Sequence, residues 1–107
     1  MVQEMPVAQF LAQRGTGKPI TLVDVREDWE IKVAAVPCEH AHIPMGQIPT
    51  RLGELDSSAD TVVLCHGGGR SMQVARYLEK QGFKSVYNLT GGIAAWARDV
   101  DPTIPQY

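Results

Sequence analysis

Hydrophobic positions along the chain switch repeatedly between two spacings, and most switches coincide with glycine or proline. Val7, Phe10, Leu11 and Arg14 fall at helical spacing and stop before Gly15, whereas the apolar, β-branched run over 20–25 reads as a buried strand. Asp24 and Arg26 lie at the carboxyl end of that run. Residues 27–33 predict a short helix, ended by the stretch through Pro37, and His42 with Ile43 predicts a brief strand before Pro44. Ile48, Leu52 and Leu55 recur at i, i+4 and i+7, with polar Gln47, Arg51 and Glu54 beside them. This stripe predicts a helix that tolerates Pro49 only in its first turn.

The second half is more regular. Residues 61–65 (TVVLC) form the clearest strand, and after HGGGR a helix is predicted from Ser71 to about Gln81, with Val74, Ala75 and Leu78 on one face. Gly82 suits the position just past a helix end and is followed by apolar Phe83. Residues 86–89 read as another strand and 93–97 as a final short helix before a proline-containing tail. Strands alternating with helices imply an α/β fold with a mostly parallel central sheet covered by helices.

A chain of 107 residues is too short for two independent cores, so 1–107 is expected to be a single domain. Its net charge is −2 with Lys and Arg scattered, which removes the basic patch expected of a nucleic-acid binder. No apolar run is long enough to cross a bilayer, and Glu4 and Pro6 stand where a signal peptide would be basic and then apolar. The expectation is a cytoplasmic protein with no nucleic-acid or membrane partner. Cys38 and Cys65 are too few for a disulfide framework and match neither a CxxC pair nor a four-ligand zinc site. Thiol chemistry in a reducing compartment fits them better.

Ligands of open α/β sheets bind at the carboxyl ends of strands, where Cys65 stands, followed by a glycine loop and a helix start. Gly67, Gly68 and Gly69 give the loop conformational freedom to turn successive N–H groups toward one anionic atom, and the helix beyond adds its positive end. An ordinary thiol with pKa about 8.5 is roughly 3% thiolate at pH 7; a drop of two units, about 2.7 kcal/mol, makes thiolate the majority form. The helix end supplies about 0.3–1 kcal/mol of this. Loop amides and the charge of Arg70 are expected to supply the rest.

Other readings of these glycines fail on spacing. There is no Lys for a GxxxxGK[ST] phosphate loop, and Met72 occupies the last glycine position of GxGxxG. A cysteine protease needs a His base, and nothing marks His40 or His42 for that role. Sulfur transfer from a good leaving group needs no such base.

Taken together, LVDVRE over 22–27, CHGGGRS over 65–71 and GFKSVYNLTGGIAAW over 82–96 resemble the signatures of the rhodanese homology family along nearly the whole chain. DPTIPQY resembles a tail found in some bacterial members and in the rhodanese parts of sulfur-activating enzymes. The resemblance implies a three-layer fold with helices on both faces of the sheet. It also implies a sulfurtransferase in which Cys65 is the nucleophile and the amides of His66, Gly67, Gly68, Gly69, Arg70 and Ser71 cradle the transferred sulfur. Arg70 and His66 would face a small anionic donor such as thiosulfate, a protein could also donate or accept sulfur, and no cofactor or metal is required. His66 replaces the basic residue common after the family's cysteine, and the usual GHIPGA segment is represented by the divergent 33–46 stretch and IPMGQIP over 43–49.

Two alternatives belong to other classes. One is a binding module that a partner loads with sulfur for cofactor biosynthesis or thiolation. The other is a phosphatase or arsenate reductase, which the resemblance disfavours: related phosphatases place five residues between Cys and Arg, and this chain has four.

Several residues have plainer expected uses. Asp24 and Arg26 should form an ion pair bracing the adjacent loop, and Trp96 and Trp29 should pack over the sheet. Ser71 should cap its helix, with contact to the donor as a second use. Met45 should fill a gap, and Cys38, His40 and His42 should be loop residues rather than a metal site.

Overall fold

The computed structural model describes all 107 residues. Five strands, β1 (Gln3–Met5), β2 (Ile20–Asp24), β3 (Ala41–His42), β4 (Asp60–Leu64) and β5 (Val86–Leu89), form one sheet in the order β1-β5-β4-β2-β3. Every pairing is parallel. The helices are α1 (Val7–Gly15), α2 (Asp28–Val33), α3 (Gly69–Lys80) and α4 (Gly92–Asp99).

Strand alternation divides the core. Leu22, Val62 and Leu64 point to one face, where Phe10 of α1 and Ile93 and Trp96 of α4 cover them. Val23, Val63 and Cys65 join the other, where Val74, Ala75 and Leu78 of α3 lie. Helices therefore cover both faces, as the α/β reading requires. Phe10 and Trp96 meet with ring centroids 5.9 Å apart, and both are buried.

The connection after β2 leads to β3 at one edge, and the connection after β4 leads to β5 in the opposite direction. The carboxyl ends of β2 and β4 therefore flank a crevice where the chain's course diverges, the usual position of an α/β ligand site. Asp24 to Glu30 and Cys65 to Ser71 face each other there.

Strand β1 is absent from the sequence reading, and three predicted details differ from it. Residues 48–55 do not form an α-helix: 3₁₀ turns at Met45–Gln47 and Leu52–Glu54 replace it. The apolar stripe is still used, because Ile48 is buried and Leu52 and Leu55 pack on the same core. Helix α3 begins at Gly69 rather than Ser71. Trp29 is 61% exposed and does not pack over the sheet. The expected stop of α3 is present: Gly82 has φ +94° and donates to Glu79 O, while Phe83 N donates to Leu78 O.

Candidate active site

Cys65 follows β4 directly and is only 1% exposed; none of the surface cavities is lined by it. Its Sγ accepts the Gly68 N–H at 3.0 Å and lies 3.2 Å from the Ser71 hydroxyl. Burial pushes the thiol up, but the Ser71 hydroxyl and the amides of Ser71, Gly68 and Gly67 outweigh it, leaving the pKa below that of an ordinary cysteine. Cys38, by contrast, is pushed up by burial. The two cysteines thus occupy opposite chemical environments.

Of the three loop glycines only Gly68 takes a left-handed conformation, φ +116°, and it stands at the amino end of α3. Gly67 and Gly69 have ordinary φ values and open space around them, so the loop needs glycine's conformational freedom at one position rather than three. Ser71 does not cap the helix. Its side chain turns back into the loop, between Cys65 Sγ and Asn88 Oδ1, the latter at 2.5 Å. A hydroxyl has one proton, so Ser71 donates to one acceptor at a time.

Asn88, on β5 and 4% exposed, is a site residue the sequence reading passed over as strand. Its Nδ2 donates to Gly68 O at 3.2 Å and to Glu4 Oε2 at 3.1 Å, tying the loop to the sheet. Gly92 is another. The amides of Ile93 and Ala94 donate to Cys65 O (2.9 Å) and His66 O (3.0 Å), so α4 docks its amino end on the loop. A side chain at Gly92, φ +60°, would collide with those same two carbonyls.

Across the crevice Asp24 and Arg26 form the expected ion pair, with both side chains fully buried. Arg26 Nε and NH2 donate to the carboxylate, and NH1 donates to the Tyr107 hydroxyl at 3.0 Å. Burial disfavours the Arg26 charge, but these partners more than offset it. Tyr107 in turn donates to Glu30 Oε2 at 2.7 Å, and Glu30 accepts two bonds from Arg70, at 2.6 and 2.8 Å. Every buried side-chain polar atom has a partner.

Arg70 was expected to turn its charge to the sulfur, and the structure gives it a carboxylate partner first. Glu30 is its strongest stabilising partner, with Cys65 contributing more weakly. The Arg70 bonds hold the Glu30 carboxyl at about 2, below the ordinary 4.5, against the opposing effect of burial. Only two of the five guanidinium N–H groups are engaged, leaving three for other acceptors. His66 is half-buried, its ring stacked on that of Tyr107 at 4.3 Å. His40 and His42 each meet a backbone carbonyl at 2.8 Å, those of Cys38 and Arg26. Met45 packs on the core as a gap-filling residue.

A buried sulfur that accepts a loop amide, lies beside a hydroxyl and has its thiol pKa lowered marks a thiol site at the end of a parallel strand. The rhodanese-like domain model matches residues 7–99, and the chain belongs to that family. It is 38% identical over 101 residues to the putative sulfurtransferase YtwF of Bacillus subtilis (strain 168), covering 94% of this chain and 96% of the relative. It is 51% identical over 90 residues to the Rhodanese-like/PpiC domain-containing protein 12, chloroplastic, of Arabidopsis thaliana. That match covers 80% of this chain but 30% of the relative, so the chain spans less than a third of the Arabidopsis protein. The crystal structure of a rhodanese-like domain protein from Staphylococcus aureus has a TM-score of 0.83 at 29% identity, covering 99% of both chains. No helix here is long and apolar enough to cross a membrane.

Proposed function

We propose that this protein is a sulfurtransferase in which Cys65 carries sulfur as a persulfide between a thiosulfate or persulfide donor and a thiophilic acceptor. The observation that carries the reading is the Gly68 amide donating to Sγ at 3.0 Å, supported by the amides of Gly67 and Ser71 and by the Ser71 hydroxyl when its proton turns from Asn88, which together lower the thiol pKa despite burial. The kinship with proteins named sulfurtransferase supports it.

The Cys65 thiolate attacks the sulfane sulfur of thiosulfate. A new S–S bond forms, the donor's S–S bond breaks, and sulfite leaves with the electron pair. The negative charge then sits on the outer sulfur, for which the amides of residues 66–71 are the cradle. An acceptor such as cyanide attacks that sulfur, thiocyanate leaves, and the Cys65 thiolate is regenerated. Arg70 offers its three unengaged N–H groups to the anionic donor, and His66 lies beside it. The mechanism calls on no cofactor or metal. We assign the reaction to residues 1–107 acting as one domain in a reducing, cytoplasmic setting.

One observation favours a variant of this chemistry. A relative 34% identical over 95 residues, the putative sulfur carrier protein YrkF of Bacillus subtilis (strain 168), favours a protein as donor or acceptor at this loop beside a free small donor. Turnover separates the two. Thiocyanate formed from thiosulfate and cyanide by the wild type and lost in Cys65→Ser supports the free donor, whereas persulfide loading only by a persulfidated protein supports the carrier. A wild type that gives neither thiocyanate nor a persulfide would overturn sulfur transfer at Cys65.

A further inference from the structure

Tyr107 lies 41 or more residues from each of Arg26, Trp29, Glu30 and His66, the residues it meets at the crevice, and nothing in the sulfur-transfer scheme uses it. The tail returns to the site because Ile104 is buried in the core beside α1 and α4 and the Asp101 amide bonds Trp96 O at 2.8 Å. That anchoring brings the phenol to the junction of the two catalytic-end segments. Its hydroxyl accepts from Arg26 at 3.0 Å and donates to Glu30 at 2.7 Å, so both its proton and its lone pair are assigned. Burial raises the phenol's pKa above 10.0, and Glu30 raises it further against Arg26, which keeps the proton in place. One face of its ring stacks on His66 with planes 22° apart, and Trp29 meets the ring edge-on at 6.0 Å.

We propose that Tyr107 is a positioning residue for the sulfur site: its hydroxyl seats Glu30 on Arg70, and its ring fixes His66 beside Cys65. The proposal rests on the sulfur-transfer reading for its purpose, but not for its test. Two consequences follow from the chemistry. Without the hydroxyl, Glu30 loses the donor that orients it and offsets part of its charge, so it neutralises more of Arg70 and the crevice becomes less favourable to an anion. Without the ring, His66 loses its stacking surface, and the backbone between Cys65 and Gly68 loses a support. Tyr107→Phe removes the first role alone; Tyr107→Leu removes both.

Alkylation of Cys65 by iodoacetate, an anion, and iodoacetamide, its neutral analogue, reads these roles separately in a Cys38→Ser background. In Tyr107→Phe the ratio of iodoacetate to iodoacetamide rates falls about threefold or more, the effect of losing one hydrogen bond to a charged group. In Tyr107→Leu that ratio falls as well, and the iodoacetamide rate also changes, a change that Phe rescues. The KM for thiosulfate follows the ratio, rising more than kcat falls in Tyr107→Phe. An unchanged ratio in both folded variants would overturn the proposal, as would parallel changes with both reagents that merely track lost thermal stability. Alkylation needs no sulfur transfer. A wild type that takes up no sulfur would therefore count against the proposed function, while the rate ratio still decides the role of Tyr107.

Discussion

Glu30 and Arg70, forty residues apart, meet end-on across the crevice, with both guanidinium termini on both carboxylate oxygens. The Glu30 side chain is 3% exposed and that of Arg70 36%, so the carboxylate has left water and the guanidinium has not. A buried carboxylate of this kind depends on its partner, and the partner's position is set in return. The cation at the mouth of the loop is therefore fixed in place and partly neutralised, with its remaining N–H groups free for other acceptors.

The Glu30 carboxyl, held at about 2 instead of 4.5, contributes stability that is fully present above about pH 4.5 and is lost as the pH falls toward 2. Allowing for the solvent around Arg70, the contribution at neutral pH is about 2 kcal/mol. Glu30→Gln should lower the unfolding free energy by about that amount at pH 7, and the gap from wild type should narrow as the pH approaches 2. Urea titrations at pH 7 and pH 3 check this. A gap that stays constant would mean that Glu30 acts through packing alone.

Ser71→Ala removes the largest of the hydrogen bonds that lower the Cys65 pKa. The midpoint of the pH profile for iodoacetamide alkylation should move up, and the rate at pH 7 should fall about three- to tenfold, as the loss of one such bond implies. A profile that coincides with wild type would show that the hydroxyl donates to Asn88 throughout and not to the sulfur.

Gly92→Ala puts a methyl against the carbonyls of Cys65 and His66 at a left-handed backbone position. Overpacking and backbone strain together should cost about 2–4 kcal/mol. Gly67→Ala, with open space and an ordinary φ, should stay within about 1 kcal/mol of wild type. Thermal melts of the two variants provide the comparison, and equal melting temperatures would contradict the docking of α4 on the loop.

The parts legible in the sequence are those written in local periodicity. Strands β2 and β4 carry β-branched runs, β5 a short stretch opened by Val86, α3 carries its stripe and its glycine stop, and CHGGGRS marks the loop that surrounds Cys65 at the strand end. Residues 48–55 misled because apolar spacing at i, i+4 and i+7 also suits a segment of tight turns, and Pro49 and Gly53 interrupt a continuous helix. Strand β1 offers three residues of which only Met5 is buried, too little alternation to see. Glu30 on Arg70, Asn88 on Gly68 and Tyr107 on His66 are contacts between distant segments. No periodicity in a single chain encodes such pairings, which exist only once the parallel sheet has brought the strand ends together.

The central claim is that Cys65 becomes a persulfide, and intact mass after incubation with thiosulfate tests it most directly. The account predicts a single added sulfur atom on the wild type and on Cys38→Ser, removed by a reductant and absent from Cys65→Ser. A wild type that gains no sulfur from thiosulfate or from a persulfide donor, or an adduct that persists in Cys65→Ser, would contradict it.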